Sequence, residues 1–197
     1  MKTIVMASSN AGKIREIAKL LEGLDVRIVP QSEFNIADAD ETGTTFEENA
    51  VIKARNAVAA TGLAAIADDS GLAVNALDGR PGVYSARYAG PGASDDDNID
   101  KLLIELNGVD QRAAAFHCVA CYLAPGSDPL LAAGEWHGEI LRARRGNGGF
   151  GYDPVFLDLA SGRASAELTP DEKNARSHRG QALRALANSM RPLLDDE

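Results

Sequence analysis

Apolar residues recur along the chain in two spacings, one typical of strands and one of helices. The run TIVMAS at residues 3–8 predicts a buried first strand. In the following NAGKIREIAKLLEGL, isoleucines and leucines recur every three or four residues, which predicts an amphipathic helix. VRIVP at residues 26–30 predicts a second short strand, and the polar, acidic segment after it predicts a loop. The chain is therefore expected to begin with a strand, a tight turn, a helix and a strand.

Capping residues mark two further helices. Thr45 and Glu48 have the spacing of a capping box, and Gly62 is placed to end that helix. Its apolar stripe is formed by Phe46, Ala50, Ala54, Ala57 and Val58, which leaves another face to Asn49, Lys53 and Asn56. Ser94 is placed to cap the next helix, whose acidic first turn at residues 95–97 suits the positive end of the helix dipole.

The second half of the chain mixes strands and helices. AAFHCVACYLA, PLLAAGEWHG and EILRAR predict three consecutive strands of an antiparallel section, with His137 in a turn. Thr169, Pro170 and Glu172 predict a capped helix start, and a last helix is expected to follow Ser177. We therefore predict an α/β fold around a mixed central sheet with flanking helices.

Composition narrows the class of protein. The 197 residues are 45% hydrophobic and 25% charged, which predicts one globular domain over residues 1–197, built of one body or of two tightly joined lobes. A net charge of −9 argues against a nucleic-acid partner, which needs a broad basic surface. The N-terminus has no signal-peptide core and no run approaches a membrane span, so we expect no membrane partner and a cytoplasmic location.

The two cysteines, Cys118 and Cys121, have CxxC spacing, but they lie in a predicted strand. Residues three apart on a strand point to opposite faces, which favours plain core cysteines over a redox or metal pair.

The stretch AIADDSGLAV places two carboxylates, Asp68 and Asp69, inside an apolar run. A buried carboxylate is costly unless a cation, a donor network or exposure compensates it, and we expect the pair to lie at a strand's end. Successive strand residues point to opposite sides, so one carboxylate can bind a hard cation such as Mg²⁺ or polarise water while the other supports it. Glu41 is a candidate second metal-binding acid, and Lys13 and Lys53 can balance the charge of a phosphate ligand.

The turn SSNAGK at residues 8–13 suits a phosphate, because helix N-termini expose backbone N–H groups and Lys13 adds a charge. A capped helix start with a solvated lysine is the alternative. The pattern is not a Walker motif, since Ala7 and Ile14 stand where that motif needs Gly and Ser or Thr.

Two later segments also carry candidate chemistry. In GNGGFGYDP, residues 146–154, glycines let the backbone approach a ligand and Phe150 or Tyr152 can stack on a planar base, although a hairpin loop is an equal alternative. In EKNARSHRGQAL, Lys173, His178 and Arg179 surround a helix start, against the preference of its dipole. A nearby anion or exocyclic carbonyl would explain these cations, and His178 could instead be a surface residue.

Six motifs, in this order, resemble the HAM1/RdgB family of inosine triphosphate pyrophosphatases: SSNAGK, ETGTTFEENAVIKA, ADDSGLAV, GRPGVYSARYAG, GGFGYDP and EKNARSHRGQAL. The resemblance spans nearly the whole chain. It implies a two-lobed α/β protein with its site in the cleft between the lobes, usually a homodimer. It also implies Mg²⁺-dependent conversion of ITP, dITP or XTP to the monophosphate and pyrophosphate.

The resemblance also implies roles for single residues. Asp69 matches the general base or water activator, also linked to Mg²⁺; Glu41 matches a metal-binding acid, with Asp40 as the alternative; and Lys53 faces the phosphates. The triphosphate-binding turn would comprise Ser8, Ser9, Asn10, Ala11, Gly12 and Lys13. The remaining substrate contacts would be Ser70, beside the general base, and a base-recognition set of Phe150, Gly151, Tyr152, Asp153, Lys173, His178 and Arg179.

Two other functions stay open at this stage. A Maf-like nucleotide pyrophosphatase would have a related organisation and prefer other bases. A nucleotide-binding sensor without turnover would keep the glycine loops and cations but would have no need of the DDSG carboxylates.

Overall fold

The computed structural model describes residues 2–8, 10, 14, 19 and 25–194, together with the backbone of residue 195. The predicted helix after the first strand therefore lies mostly outside the described residues. Within it, Ile14 and Lys19 are helical, and the Ile14 N–H donates to the carbonyl of Asn10 at 3.0 Å, the spacing of a helical turn.

The two strands predicted at the N-terminus are confirmed, and they lie in a parallel section of the sheet. Strand β1 (Lys2–Met6) pairs in parallel with β2 (Val26–Pro30) on one side and with β3 (Ala64–Val74) on the other. Parallel strands need a crossover connection, and helix α1 (Phe46–Thr61) supplies it between β2 and β3.

Helix α1 begins and ends at the residues that its sequence predicted. The Thr45 hydroxyl accepts the Glu48 N–H at 3.2 Å, and Gly62 takes the left-handed conformation at φ +67°. The predicted capping box forms only in part, because the Glu48 carboxylate accepts the N–H of Thr44 at 2.7 Å, one residue before the cap.

The second half of the chain adds an antiparallel section. The elements are α2 (Asp95–Glu105), capped by Ser94 as predicted, then β4 (Ala113–Leu123), β5 (Leu130–Ile140), β6 (Phe156–Asp158) and β7 (Arg163–Ala164). Strand β6 pairs antiparallel with both β5 and β7. Among the described residues, seven strands form one sheet in the order β2-β1-β3-β4-β5-β6-β7, which confirms the predicted mixed sheet.

The prediction of three separate strands here was wrong, because GEWHG and EI belong to one strand, β5, and His137 lies within it. Gly138 does not break that strand. A Cβ at Gly138 would lie 2.3 Å from the Leu157 carbonyl oxygen, so the glycine lets β6 approach closely.

Two helices complete the chain, α3 (Pro170–Arg176) and α4 (His178–Asp195). The capping box of α3 is confirmed: the Thr169 hydroxyl accepts the Glu172 N–H at 3.3 Å, and the Glu172 carboxylate accepts the Thr169 N–H at 2.8 Å. No helix among the described residues is long and apolar enough to cross a bilayer.

The chain divides into two compact units. The first unit comprises residues 1–69, 118–134 and 178–197, and the second comprises residues 70–117 and 135–177. The first unit buries two apolar clusters, with Cys118 in one and Cys121 in the other, as expected for residues three apart on a strand. Both cysteines are buried, and burial raises the pKa of Cys121 to about 11, which fits a core thiol. The second unit has its own core, in which Phe116, Trp136 and Phe156 pack together.

Candidate active site

The aspartate pair lies inside a strand and not at its end, so that prediction was wrong. Strand β3 runs without interruption through Asp68 and Asp69, which are only 2% and 5% exposed. It pairs with β1 as far as Ile66, whose carbonyl accepts the N–H of Ala7 at 2.8 Å. Asp68 and Asp69 therefore lie just beyond the last residue of β3 that pairs with β1.

Asp69 faces helix α1 and the loop before it. The Lys53 ammonium lies 2.8 Å from Asp69 Oδ1 and 2.9 Å from Glu41 Oε1, so one lysine bridges two carboxylates. The side-chain amide of Asn49 donates to Asp69 Oδ2 at 3.2 Å. Asn49 and Lys53 are one helical turn apart on α1, and this spacing brings both side chains to the same carboxylate.

The orientation of the Asn49 amide is set by Gly43. The backbone N–H of Gly43 donates to Asn49 Oδ1 at 2.9 Å. The side-chain nitrogen of Asn49 therefore faces Asp69. A Cβ at Gly43 would lie 2.7 Å from Asn49 Oδ1, so a larger residue would push the loop away from the helix. The glycine thus allows the backbone approach that orients a donor towards Asp69.

The charge of Lys53 is stabilised by the acids around it. Burial by itself would lower the pKa of Lys53, but Asp69, Asp68 and Glu41 together outweigh burial and hold the pKa above its ordinary value. Lys53 therefore stays protonated at neutral pH, and the cluster combines one fixed cation with two carboxylates in contact with it, Glu41 and Asp69.

Asp68 points away from this cluster. Its Oδ2 accepts the Nε–H of Arg179 at 3.2 Å and lies 3.9 Å from the Cys118 thiol sulfur. Arg179 is in the first turn of α4 and is only 2% exposed. The start of α4 packs closely on β5, because a Cβ at Gly134 would lie 2.3 Å from the carbonyl oxygen of His178.

A second polar cluster, in the second unit, is centred on Asp153. Its Oδ2 accepts the Phe150 N–H at 2.9 Å and the Lys173 ammonium at 2.6 Å, and its Oδ1 accepts the Ser165 hydroxyl at 2.7 Å. The Lys173 ammonium also lies 4.6 Å from the centre of the Phe150 ring, within cation–π range. Asp153 therefore links the glycine-rich loop to α3 and to the short 3₁₀ segment Ser165–Glu167.

The loop itself is closely packed. At Gly149, φ is +76° and a Cβ would lie 2.0 Å from Asp153 Oδ2, so only glycine fits. The Gly151 N–H donates to the Asp95 carboxylate at the start of α2, at 2.7 Å. Tyr152 is buried in the core of the second unit and donates its hydroxyl to the Ser85 carbonyl at 2.8 Å, whereas Phe150 is half-buried.

The predicted site residues thus fall into two groups. The structure brings Glu41, Lys53 and Asp69 together in the first unit, and Phe150, Asp153 and Lys173 together in the second. A nearby anion or exocyclic carbonyl was expected to explain Lys173 and Arg179, and the structure gives each of them a carboxylate of the protein as a partner. His178 is buried at the start of α4, and Ser70, half-buried, follows Asp69 on β3.

The phosphate-binding turn is largely outside the described residues, which include neither Ser9, Ala11, Gly12 nor Lys13. Ser8 is half-buried and Asn10 is exposed, and the Asn10 N–H donates to the Ser8 hydroxyl at 3.2 Å.

Two residues of the two polar clusters, Asn49 and Ser165, were not among the predicted site residues. The spacing of Asn49 and Lys53 on α1 could have revealed Asn49, whereas no sequence signal connects Ser165 with Asp153.

The donor set of the first cluster fits a magnesium ion. Glu41 and Asp69 direct carboxylate oxygens to the same point, now bridged by Lys53, and Mg²⁺ is commonly held by one or two carboxylates with waters and substrate phosphates. In the part of the chain that the structure describes, no three His, Cys, Asp or Glu side chains lie close enough together to hold a metal ion. A magnesium ion here would therefore depend on water and substrate oxygens for its remaining ligands.

Comparison with known proteins places this geometry in a family. The model of the Ham1 family matches residues 4–189. The chain belongs to the Ham1 family. Relatives named dITP/XTP pyrophosphatase, from Pectobacterium atrosepticum and Methylococcus capsulatus, are 53% and 55% identical to it over 97% and 98% of this chain, and over 99% and 98% of their own lengths.

A solved structure of a HAM1 protein from Coxiella burnetii matches this Ham1 family chain with a TM-score of 0.89 at 49% identity. It covers 96% of this chain and 98% of its own. The family expected from the six motifs and the predicted mixed α/β fold are therefore confirmed.

Proposed function

We propose that the chain is a nucleoside triphosphate pyrophosphohydrolase that converts non-canonical purine nucleotides, ITP, dITP and XTP, to the monophosphate and pyrophosphate. The observation that carries this proposal is the bridging of Asp69 and Glu41 by Lys53 beside a buried second aspartate. A protein that only binds a nucleotide would have no need of this concentration of acids. The relatives' names support the same reaction.

The protein's own residues divide the work of this reaction. Asp69 accepts a proton from the attacking water and orients it, with Asn49 and Lys53 holding the carboxylate in place. Lys53, kept protonated by the acids around it, stabilises the negative charge that develops on the leaving pyrophosphate. Glu41 and Asp69 would hold Mg²⁺, which when bound supplies neutralisation and polarisation of phosphate oxygens. The turn of residues 8–13 would bind the triphosphate.

Base selection follows from hydrogen-bond polarity. The 6-oxo group of hypoxanthine or xanthine accepts hydrogen bonds, whereas the 6-amino group of adenine donates them. Donors from His178 and Arg179 would therefore favour the oxo bases, and Phe150, held beneath Lys173, would supply a surface for stacking. Gly151, Tyr152 and Asp153 would act by fixing the loop that carries Phe150.

The test is incubation of the protein with ITP, dITP, XTP, ATP and GTP, with Mg²⁺ or with EDTA, scoring pyrophosphate against orthophosphate. We expect pyrophosphate from the first three substrates, much slower turnover of ATP, whose 6-amino group donates where the others accept, and loss of activity in EDTA. GTP also has a 6-oxo group, so its rate measures whether contacts at the 2-position add to the selection. Release of orthophosphate would show that another bond is cut, and equal turnover of ATP and ITP would contradict the proposed base selection. Preference for other modified bases would instead favour a Maf-like enzyme.

The same proposal extends to assembly and location. We infer a homodimer in the cytoplasm, since the family resemblance implies a dimer and the substrates are nucleotides of the cellular pool. Sedimentation equilibrium at several concentrations tests the dimer, and a single species of 20.7 kDa would contradict it.

A further inference from the structure

We propose that Asp68 is a positioning residue for base selection, which acts by holding the guanidinium of Arg179. The adjacent aspartates of β3 would then serve different ends of the substrate: Asp69 the phosphates, Asp68 the base. This inference rests on the proposed function, and in particular on a role of Arg179 in selecting the base.

The first support is burial. The side chains of Asp68 and Arg179 are 0% and 3% exposed, and Arg179 Nε lies 3.2 Å from Asp68 Oδ2. A buried ion pair costs desolvation and is not a source of net stability by default. Its retention beside the acids of the catalytic cluster therefore needs another reason, and fixing the direction of a planar donor group is one that fits.

The second support is the geometry of the guanidinium. Arg179 presents five N–H donors in one rigid plane, and the bond to Asp68 uses Nε, on one edge of that plane. Fixing one edge fixes the direction of the other donors. Because a small misplacement of a contact group is costly in a preorganised site, loss of Asp68 would weaken the preference for a 6-oxo base.

The third support is that Asp68 and Arg179 are both held from elsewhere in the first unit. Gly134 allows the start of α4 to lie directly against β5, which fixes the backbone of Arg179. The Cys118 thiol lies 3.9 Å from the same Asp68 oxygen that Arg179 contacts. The pair is therefore set between two strands and a helix, on the side of β3 opposite to Lys53.

The experiment measures base discrimination, the ratio of kcat/KM for ITP to that for ATP, in Asp68→Asn. We expect this ratio to fall about tenfold or more, as expected for loss of a charge-assisted hydrogen bond, while kcat for ITP changes much less than it does in Asp69→Asn. Binding gives a second readout. Without metal, the ratio of the dissociation constants of IMP and AMP, measured by calorimetry, should shift by a similar factor.

A matched control is available in the second unit. Asp158 is equally buried and accepts from Arg176 at 2.9 Å and from Trp136 at 3.1 Å, in another part of the chain. Asp158→Asn should lower the melting temperature, as Asp68→Asn should, but leave the ITP/ATP ratio unchanged. A change of the ratio in both variants would mean that general destabilisation causes it, and the inference would fall.

A double-mutant cycle separates action through Arg179 from direct action. In an Arg179→Gln background, Asp68→Asn should have no further effect on the ratio, because its target is gone. The double variant has a neutral pair, so if Asp68→Asn alone does not fold, a further fall of the ratio in the double variant relative to Arg179→Gln still contradicts the inference. An unchanged ratio in Asp68→Asn, or an equal loss with and without Arg179, contradicts the inference. Wild-type protein that releases no pyrophosphate from ITP contradicts the proposed function itself.

Discussion

Each compact unit buries a lysine against an aspartate, but the surroundings of the two pairs differ. In the first unit, Lys53 bridges Asp69 and Glu41, with Asp68 adding to the field, so acids outnumber the lysine. In the second unit, Lys173 pairs with Asp153, whose oxygens also accept from a loop N–H and a serine hydroxyl. An excess of carboxylates suits a metal ion and an attacking water, whereas a lysine–aspartate pair without net charge, whose carboxylate accepts three hydrogen bonds, suits the fixing of a loop. The comparison shows that a lysine–aspartate pair can serve catalysis or can hold a loop in place, depending on the groups that surround it.

The largest expected effect is on kcat, and it distinguishes Asp69 in the first cluster from Asp153 in the second. In Asp69→Asn, kcat for ITP should fall by about 10²–10⁴, as for loss of a general base, with little change in KM. Steady-state pyrophosphate release measures it. Asp153→Asn is the matched comparison and should act mainly on KM. Near-normal kcat in Asp69→Asn would remove the distinction between the clusters.

The next effect concerns stability. Asp153→Asn leaves the Lys173 ammonium buried without its carboxylate, and removing one partner of a buried pair costs about 3–5 kcal/mol of unfolding free energy. Urea denaturation measures the loss. The double variant Asp153→Asn with Lys173→Met should recover part of it, because no buried charge is then left alone. A double variant as unstable as the single one would show that the pair is not the cause.

A smaller effect tests the link between Ser165 and the loop. Ser165→Ala removes the 2.7 Å bond to Asp153 and should cost about 1 kcal/mol of stability. Since Asp153 also holds the Phe150 N–H, KM for ITP should rise while kcat stays close to wild type. Ser127→Ala, at an exposed turn, is the control and should change neither quantity. A fall in kcat without a change in KM would contradict this positioning role.

The smallest effect is a pH dependence at the helix that carries Lys173. The Arg163 side chain and the Thr169 N–H bond to Glu172 and lower its pKa from the ordinary 4.5 to about 2. A carboxyl whose pKa is lower in the folded state stabilises the protein above pH 4.5, and this contribution is lost as the pH falls towards 2. Glu172→Gln should therefore lose less stability than wild type between pH 4.5 and 2, as followed by thermal melting. Equal slopes would show that the capping interaction does not persist in solution.

The helices and strands differ in how well the sequence predicted them. Capping residues such as Thr45, Ser94 and Thr169 act within a few residues, so the starts of their helices were correctly predicted. Asp68 and Asp69 were placed at a strand's end, which was wrong, because a local pattern treats carboxylates as a break in an apolar run. In the fold they stay within the strand, since Lys53, Asn49 and Arg179 compensate them there.

The sequence alone determined the family, the mixed α/β class and most residues of the candidate site, because motifs, caps and periodicity are properties of neighbouring residues. Only the tertiary structure decided which partner each charge takes: Asp69 with Lys53, Asp68 with Arg179, and Asp153 with Lys173 and Ser165. The physical reason is distance along the chain. Asp68 and Arg179 are 111 positions apart, and a hydrogen bond across such a separation exists only once the strand and the helix have packed.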